Sequence, residues 1–192
     1  MFNSEEERIK DFDELCEKNL MVSAKFRNWL IEKGFFRAPA STKYHGAYEG
    51  GLYDHCKMVY SRLEKLTEDN HLIWQRAESP FIVGMFHDVC KIDQYKKAEN
   101  GIVRADGQDI VTPSGFHYEY NTNTYLKGHG AKSVMLLSMF MSLTEEEVLC
   151  VRYHMGAYEK EEWPELDLAI RKFQNVLWSH HADMLASKVD DV

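Results

Sequence analysis

The candidate chemistry of this sequence begins with an imidazole beside a carboxylate at the end of an apolar run. Residues 81–86 are apolar, and His87 and Asp88 follow them directly. Burying either group without a partner costs free energy, so both are expected to face a cation. Lys91 shares their face on a helix, where its ammonium would meet the anionic part of a metal-bound substrate. Taken alone, such a doublet is more often a solvated pair at a helix end.

Further candidate metal ligands occur along the chain, at His55, His129, His154 and Asp183. Each lies on or at the end of a predicted helix, and a helical bundle can bring such positions together at its centre. Four imidazoles and two carboxylates suit manganese, iron, cobalt or nickel, and magnesium less well, while zinc remains possible. Six ligands exceed the need of one catalytic metal and fit two metals bridged by a carboxylate, for which Asp88 is the natural choice. Each histidine taken singly is more often a surface or hydrogen-bonded core residue.

Local signals predict that these ligands are carried by helices. Ser4 with Glu7, and Thr144 with Glu147, have the spacing of capping boxes at helix starts. Gly34 is a good terminator for the second helix.

The helices around the candidate ligands have predicted bounds. One helix is expected from Leu52 to about Leu66, and one starts where Ser79 can cap and Pro80 fits the first turn. Helices resume at about His129, and a last long helix is expected from Pro164 to about Lys188.

The helical pattern is interrupted at residues 94–124. Asn100-Gly101 is a tight-turn signal between Tyr95–Ala98 and Ile102–Arg104. Residues 116–120 then alternate with period two. We predict a small β-ribbon or flap inserted between helices.

The bulk composition is that of an ordinary globular protein. The chain has 192 residues, with 44% apolar and 28% charged residues, and we predict a single domain over residues 1–192. No apolar run has membrane-spanning length, and the N-terminus lacks a signal-peptide pattern, so a cytoplasmic protein without membrane attachment is expected. The net charge of −8 argues against broad, non-specific nucleic-acid binding.

The cysteines do not form a disulfide framework by their spacing. The chain has 4 cysteines and no CxxC pair, which predicts reduced and mostly buried thiols.

Five motifs in this order resemble the HD-domain metal-dependent phosphohydrolases. They are GGLYDHC, FHDVCKI, LKGHGAKS, RYHMG and HHADMLAS, and they extend from about Tyr44 to Asp183. The resemblance implies an all-α HD-domain bundle. The helices that caps and periodicity predict in residues 1–40 precede it. It also implies a first metal site formed by His55, His87, Asp88 and Asp183, and a second completed by His129 and His154.

The segment YHGAYEGGLYDHC is also similar to the catalytic domain of HD exoribonucleases. Those enzymes usually carry an OB-type nucleic-acid-binding domain in front. Only about forty residues precede Tyr44, too few for such a domain. Cys56 and Val89-Cys90 depart from the common family residues at positions that are not ligands.

The resemblance predicts hydrolysis of a phosphoester, on a nucleotide or related small phosphate compound. A water whose pKa is lowered by the metals would attack phosphorus. Lys91 would offset charge in the transition state. Lys132 and His45 are candidate substrate-binding residues, with a solvated lysine and a structural histidine as the alternatives.

Two other classes of function remain open on sequence alone. Some HD-fold enzymes use a similar set of four histidines and two aspartates as di-iron oxygenases, and spacing does not separate these from hydrolases. A ligand-binding module without catalytic activity is the third class. The oligomeric state is not determined by the sequence.

Overall fold

The structure is a computed structural model, and it describes residues 2–20, 22–98, 102–105, 108–111, 117–126, 128–159 and 162–192. These residues are mostly helical, as the sequence predicts. The α-helices are α1 (Glu5–Lys18), α2 (Ala24–Lys33), α3 (Gly51–Asp69), α4 (Ser79–Phe86), α5 (Gly130–Ser138), α6 (Glu145–Tyr153), α7 (Trp163–Lys172) and α8 (Asn175–Lys188). Short 3₁₀ helices follow α4 at Val89–Asp93 and α6 at Gly156–Tyr158. Within the described part, no helix combines the length and the apolar character needed to cross a bilayer.

The ends of the helices largely follow their sequence signals. The Ser4 hydroxyl caps α1 by accepting a bond from the Glu7 amide, and Gly34 ends α2 with a left-handed φ of 81°. Thr144 and Glu147 form the reciprocal capping box at the start of α6.

The start of α4 differs from the prediction. Glu78 precedes the helix, and Ser79 is its first residue instead of its cap. The Ser79 hydroxyl donates to the buried Glu147 carboxylate at 2.8 Å, so a tertiary partner takes the group that would have capped the helix.

The predicted last helix is divided in two, which corrects the expectation of one helix from Pro164 to Lys188. Phe173 has an extended backbone, with φ −136° and ψ 105°, and separates α7 from α8. Just beyond it, the side-chain amide of Asn175 donates from Nδ2 to the Ile73 carbonyl at 2.9 Å and to the Glu146 carboxylate at 2.8 Å. These bonds fix the start of α8 to distant parts of the chain, which a local helical pattern does not reveal.

The insertion after α4 contains the expected small antiparallel ribbon. Its strands are β1 (Tyr95–Ala98), β2 (Ile102–Ala105), β3 (Gln108–Val111) and β4 (His117–Tyr120). β1 pairs with β4, and β2 pairs with β3. The predicted pairing of Tyr95–Ala98 with Ile102–Arg104 is therefore wrong. Asn100, Gly101 and Phe116, which suggested the ribbon, lie outside the described residues.

The core brings α3 and α4 into close contact. Aromatic side chains of the N-terminal helices pack on the end of α4, with 5.1 Å between the ring centroids of Phe26 and Phe86. A Cβ on Gly84 would lie 2.4 Å from the Tyr60 Cα, so glycine is required where the two helices approach. Each of the four cysteines is buried and unpaired, as predicted. The close packing of α3 and α4 places His55 beside His87.

Candidate metal centre

The structure brings all six predicted metal ligands to one place. They come from five helices or their ends: His55 from α3, His87 and Asp88 from the end of α4, His129 and His154 from the termini of α5 and α6, and Asp183 from α8. Their ligand atoms form three overlapping groups, and within each group all atoms lie within 4.8 Å of one another. The groups are His55 with His87 and Asp88, His87 with His154 and Asp183, and Asp88 with His129 and His154.

Asp88 lies between two pairs of histidines. Its Oδ2 atom is 3.6 Å from the Nε2 of His55 and 3.5 Å from the Nε2 of His87. Its Oδ1 atom is 2.8 Å from the Nε2 of His129 and 3.4 Å from the Nε2 of His154. The two oxygens of one carboxylate thus face different imidazole pairs, which is the arrangement required of a bridging ligand.

Asp183 closes the centre from the side of α8. Its Oδ1 atom is 3.2 Å from the Nε2 of His55. Its side chain is 14% exposed, whereas the His55 side chain is fully buried, so Asp183 faces the edge of the centre that opens to solvent.

Several atoms of the centre are buried without a hydrogen-bond partner. Among the described residues these include the Nε2 atoms of His55 and His87 and the Oδ1 atom of Asp88. His55 is 0% exposed, and His87 and Asp88 are 1% exposed. The short distances around Asp88 are therefore close approaches without hydrogen-bond geometry. Unpaired buried polar atoms are costly, and a cation between them would satisfy the lone pairs. The donor set of imidazole nitrogens and carboxylate oxygens fits a divalent metal.

The orientation of two ligands follows from their positions at helix ends. His87 and His154 are the C-terminal caps of α4 and α6. Each Nδ1 atom donates to the carbonyl three residues earlier, on Gly84 at 2.9 Å and on Val151 at 2.7 Å. These bonds place the proton on Nδ1 and leave the Nε2 lone pair free for a metal.

The second imidazole pair has a different environment. The Nε2 atoms of His129 and His154 are only 3.1 Å apart. Two nitrogen lone pairs at this distance repel each other unless they share a proton or a cation. The Nδ1 of His129 has the Cys90 thiol as its neighbour, at 3.7 Å.

Charge and burial set the protonation of the centre. Burial alone would raise the pKa of Asp88, but the Lys91 ammonium and the surrounding imidazoles hold that pKa well below its usual value. Burial lowers the pKa of His87 to about 3, so its imidazole is neutral at neutral pH. For Lys91, the attraction of Asp88 outweighs burial and raises the pKa of the ammonium.

Lys91 reaches Asp88 because the chain after α4 is a 3₁₀ helix. In that geometry side chains three residues apart are aligned. The Nζ atom of Lys91 is 2.6 Å from the Oδ2 of Asp88. The sequence predicts Lys91 on the same helical face as Asp88, and the structure brings the two together in a 3₁₀ helix instead of an α-helix.

A cavity of about 450 Å³ lies against the centre. Its wall includes the two ligands His129 and Asp183, and also Lys91. The same cavity is lined by four tyrosines, Tyr44, Tyr95, Tyr120 and Tyr158. The site therefore has an opening of ligand size beside its candidate metal positions.

The two predicted substrate-binding residues lie in different places. His45 lines this cavity, and its ring centroid is 4.9 Å from that of His55. Burial lowers the pKa of His45 to about 4. The Lys132 ammonium is paired with Asp93 and lines a separate cavity of about 320 Å³. The structure thus brings His45 to the centre but not Lys132, and a role for either in substrate binding stays a prediction.

Sequence reasoning missed several residues of this site. Tyr44, Tyr158, Glu159 and Lys188 line the cavity, although no spacing signal distinguishes them from surface residues. The Val192 carbonyl accepts a bond from the Nδ1 of His55 at 2.8 Å, across 137 positions of sequence. Only the folded chain shows these contacts.

Comparison of the chain with protein-family models, with curated proteins and with solved structures gives no match.

Proposed function

We propose that this chain is a metal-dependent phosphohydrolase of the HD superfamily, acting on a phosphoester of a nucleotide or a related small phosphate compound. The observation that carries the proposal is the position of Asp88 between two imidazole pairs, with the buried Lys91 ammonium 2.6 Å from its Oδ2 atom. The five ordered sequence motifs of the HD superfamily supply the same six ligands.

The six ligands divide into two sets that share Asp88. His55, His87, Asp88 and Asp183 would hold one ion, and Asp88, His129 and His154 a second. The suitable ions are manganese, iron, cobalt, nickel, zinc or magnesium. When bound, they supply a water of lowered pKa and Lewis-acid sites for phosphoryl oxygens.

The charges of the protein explain why a metal is needed for a phosphate substrate. The ionised carboxylates of Asp88 and Asp183 outnumber the Lys91 ammonium in the centre, and their charge raises the pKa of the neighbouring His154. These carboxylates oppose the approach of a phosphate. A divalent cation held by the six candidate ligands would offset their charge, and Lys91 would add a fixed positive charge where charge develops on the phosphoryl oxygens.

The cavity favours a small substrate with a planar group. Its volume of about 450 Å³ lies in the range of small-molecule sites. Tyr44, Tyr120 and Tyr158 are well exposed and offer aromatic faces at its wall. Stacking of a base on such a ring contributes about 1–3 kcal/mol.

The test is elemental analysis of the purified protein, followed by a phosphohydrolase substrate panel with and without added manganese, iron, cobalt, nickel, zinc or magnesium. We expect metal-dependent release of phosphate or of a nucleoside, and its loss in Asp88→Asn. A metal-loaded protein that turns over none of the phosphoesters would contradict the proposal. Dioxygen consumption by the iron-loaded protein would instead identify an oxygenase.

A further inference from the structure

His55 depends on a distant part of the chain for its orientation. His87 and His154 each donate Nδ1–H to a carbonyl in their own helix. His55 lies within α3, and its Nδ1 atom instead contacts the Val192 carbonyl, in the segment that follows α8. The rotamer and tautomer of His55 are therefore fixed by whatever holds that segment in place.

An ion pair holds this segment against α3. The Arg62 guanidinium donates from Nε to the Asp190 Oδ2 at 2.7 Å and from Nη2 to Oδ1, which makes the pair bidentate. Arg62 is seven residues after His55, two turns along the same face of α3. Asp190 is thus held on the same face of α3 as His55, two turns further along the helix.

Backbone bonds carry the constraint from Asp190 to Val192. The amide of Asp190 donates to the Leu185 carbonyl at 3.1 Å, and the amide of Val192 donates to the Ala186 carbonyl at 3.2 Å. The segment is consequently folded onto the last turn of α8, and the Val192 carbonyl is directed at His55.

We propose that Arg62 and Asp190 are positioning residues that set the metal affinity of one half of the centre. They hold the Val192 carbonyl on the Nδ1 of His55, which directs its Nε2 lone pair towards Asp88 and Asp183. The effect is confined to the ion held by His55, because His154 takes its orientation from its own helix. The inference rests on the metal centre of the proposed function and is independent of the reaction catalysed there.

The experiment compares divalent-metal binding by the wild type and Arg62→Met. Chelator-treated protein is titrated with Mn²⁺ and with Co²⁺ by calorimetry, and the visible spectrum of bound Co²⁺ is recorded. We expect the affinity of one ion to fall about 10–100-fold, as for other outer partners of metal-bound histidines, with a changed Co²⁺ spectrum. The affinity of the other ion is expected to stay unchanged.

A matched control and a rescue separate positioning from stability. Arg27 forms a bidentate pair with Asp13, at 2.6 and 2.7 Å, and its side chain is 34% exposed against 33% for Arg62. Arg27→Met should leave both metal affinities unchanged. The double variant Arg62→Asp with Asp190→Arg exchanges the two charges. It should recover the metal affinity that each single substitution loses.

The outcomes distinguish this inference from the proposed function. Unchanged metal affinity in Arg62→Met, or an equal loss in Arg27→Met, overturns the positioning role while phosphoester turnover can still be present. A wild type that binds metal and hydrolyses no phosphoester overturns the hydrolase but leaves the positioning role standing. A wild type that binds no divalent metal overturns both.

Discussion

At the scale of single residues, Asp88 has two roles, which a second substitution at Lys91 can separate. Its oxygens face both imidazole pairs, and it also neutralises the buried Lys91. Breaking one side of a buried ion pair typically destabilises a protein by about 3–5 kcal/mol, because the other charge is left unpaired. A loss of metal in an Asp88 variant must therefore be distinguished from a loss of folding.

Asp88→Asn is expected to lose bound metal and to lower the unfolding temperature. Adding Lys91→Met removes the stranded ammonium and should restore part of the stability, but not the metal. Metal content by elemental analysis and thermal unfolding of both variants provide the check. Full metal stoichiometry in either variant would show that Asp88 is not a ligand.

Lys91→Met alone should separate substrate charge from metal binding. An ammonium cannot ligate a cation without losing its proton, so metal content should remain near that of the wild type. Loss of a positioned charge at a developing oxyanion should lower kcat about 100-fold.

The control for Lys91 is an exposed lysine, Lys65→Met, which should have no effect. If Lys91→Met raised KM and left kcat intact, the ammonium would serve substrate binding only, as the oxygenase alternative predicts. If Lys91→Met changed neither KM nor kcat, Lys91 would have no role in turnover.

The buried imidazole of His87 predicts an acid dependence of stability in the metal-free protein. Its pKa is lowered to about 3 by burial, whereas an unfolded histidine titrates near 6.5. The unfolded state therefore binds the extra proton between these values, and stability present above about pH 6.5 is lost as the pH falls towards 3. The slope from one such group is at most about 1.4 kcal/mol per pH unit.

Denaturant unfolding of chelator-treated protein between pH 7 and pH 4 measures this slope. His87→Asn should flatten it, and His71→Asn, at an exposed position, should not. An unchanged slope in His87→Asn would assign the acid sensitivity to other groups.

At the scale of elements, helix termini deliver most of the ligands. His87 and His154 cap the C-terminal ends of α4 and α6, and His129 precedes α5. The turn after α6 is held by a further histidine, because the His180 Nδ1 atom donates to the His154 carbonyl at 2.8 Å. The position of the ligand His154 thus depends on how closely α8 approaches this turn.

Gly156→Ala should disturb that approach. Gly156 has a φ of 57°, and an added Cβ would lie 2.6 Å from the His180 ring. Left-handed strain costs about 1–2 kcal/mol, and the displaced ring would also move the His154 carbonyl. We expect lower stability together with weaker binding of the metal held by His154.

Gly34→Ala is the matched control for Gly156→Ala. Gly34 shares a positive φ, 81°, and ends α2, and the atom nearest to an added Cβ belongs to the Arg37 side chain, at 3.5 Å. The substitution should lower stability through strain without changing metal affinity. Equal effects on metal affinity would mean that contact with His180 is not the cause.

At the scale of the whole molecule, the centre joins distant parts of the fold. Its ligands come from α3, α4, α5, α6 and α8, so a metal that binds only the native state is linked to folding. At a free metal concentration of 100 times Kd, the stabilisation is about 2.7 kcal/mol. For a chain of this size each kcal/mol shifts Tm by about 2–4 °C.

Chelation should therefore lower the Tm of the wild type, and adding Mn²⁺ should restore it. Asp88→Asn should show no such shift. Thermal unfolding with and without chelator measures both, and an equal shift in the two proteins would indicate metal binding elsewhere.

The sequence by itself identified the six candidate ligands and the local devices that orient some of them. A histidine at a helix C-cap finds its own unpaired carbonyl within reach, so the orientation of His87 and His154 follows from local structure. Helix caps and a period-two segment likewise predicted the helical character and the presence of short strands, because both depend on neighbouring residues.

The tertiary structure decided what depends on distant partners. It pairs β1 with β4, divides the last helix at Phe173, and joins Lys132 to Asp93. It also gives His55 its acceptor on Val192. These contacts join residues that are far apart in sequence. Local propensity and spacing do not encode which distant group becomes the partner, because the packing of the helices decides it.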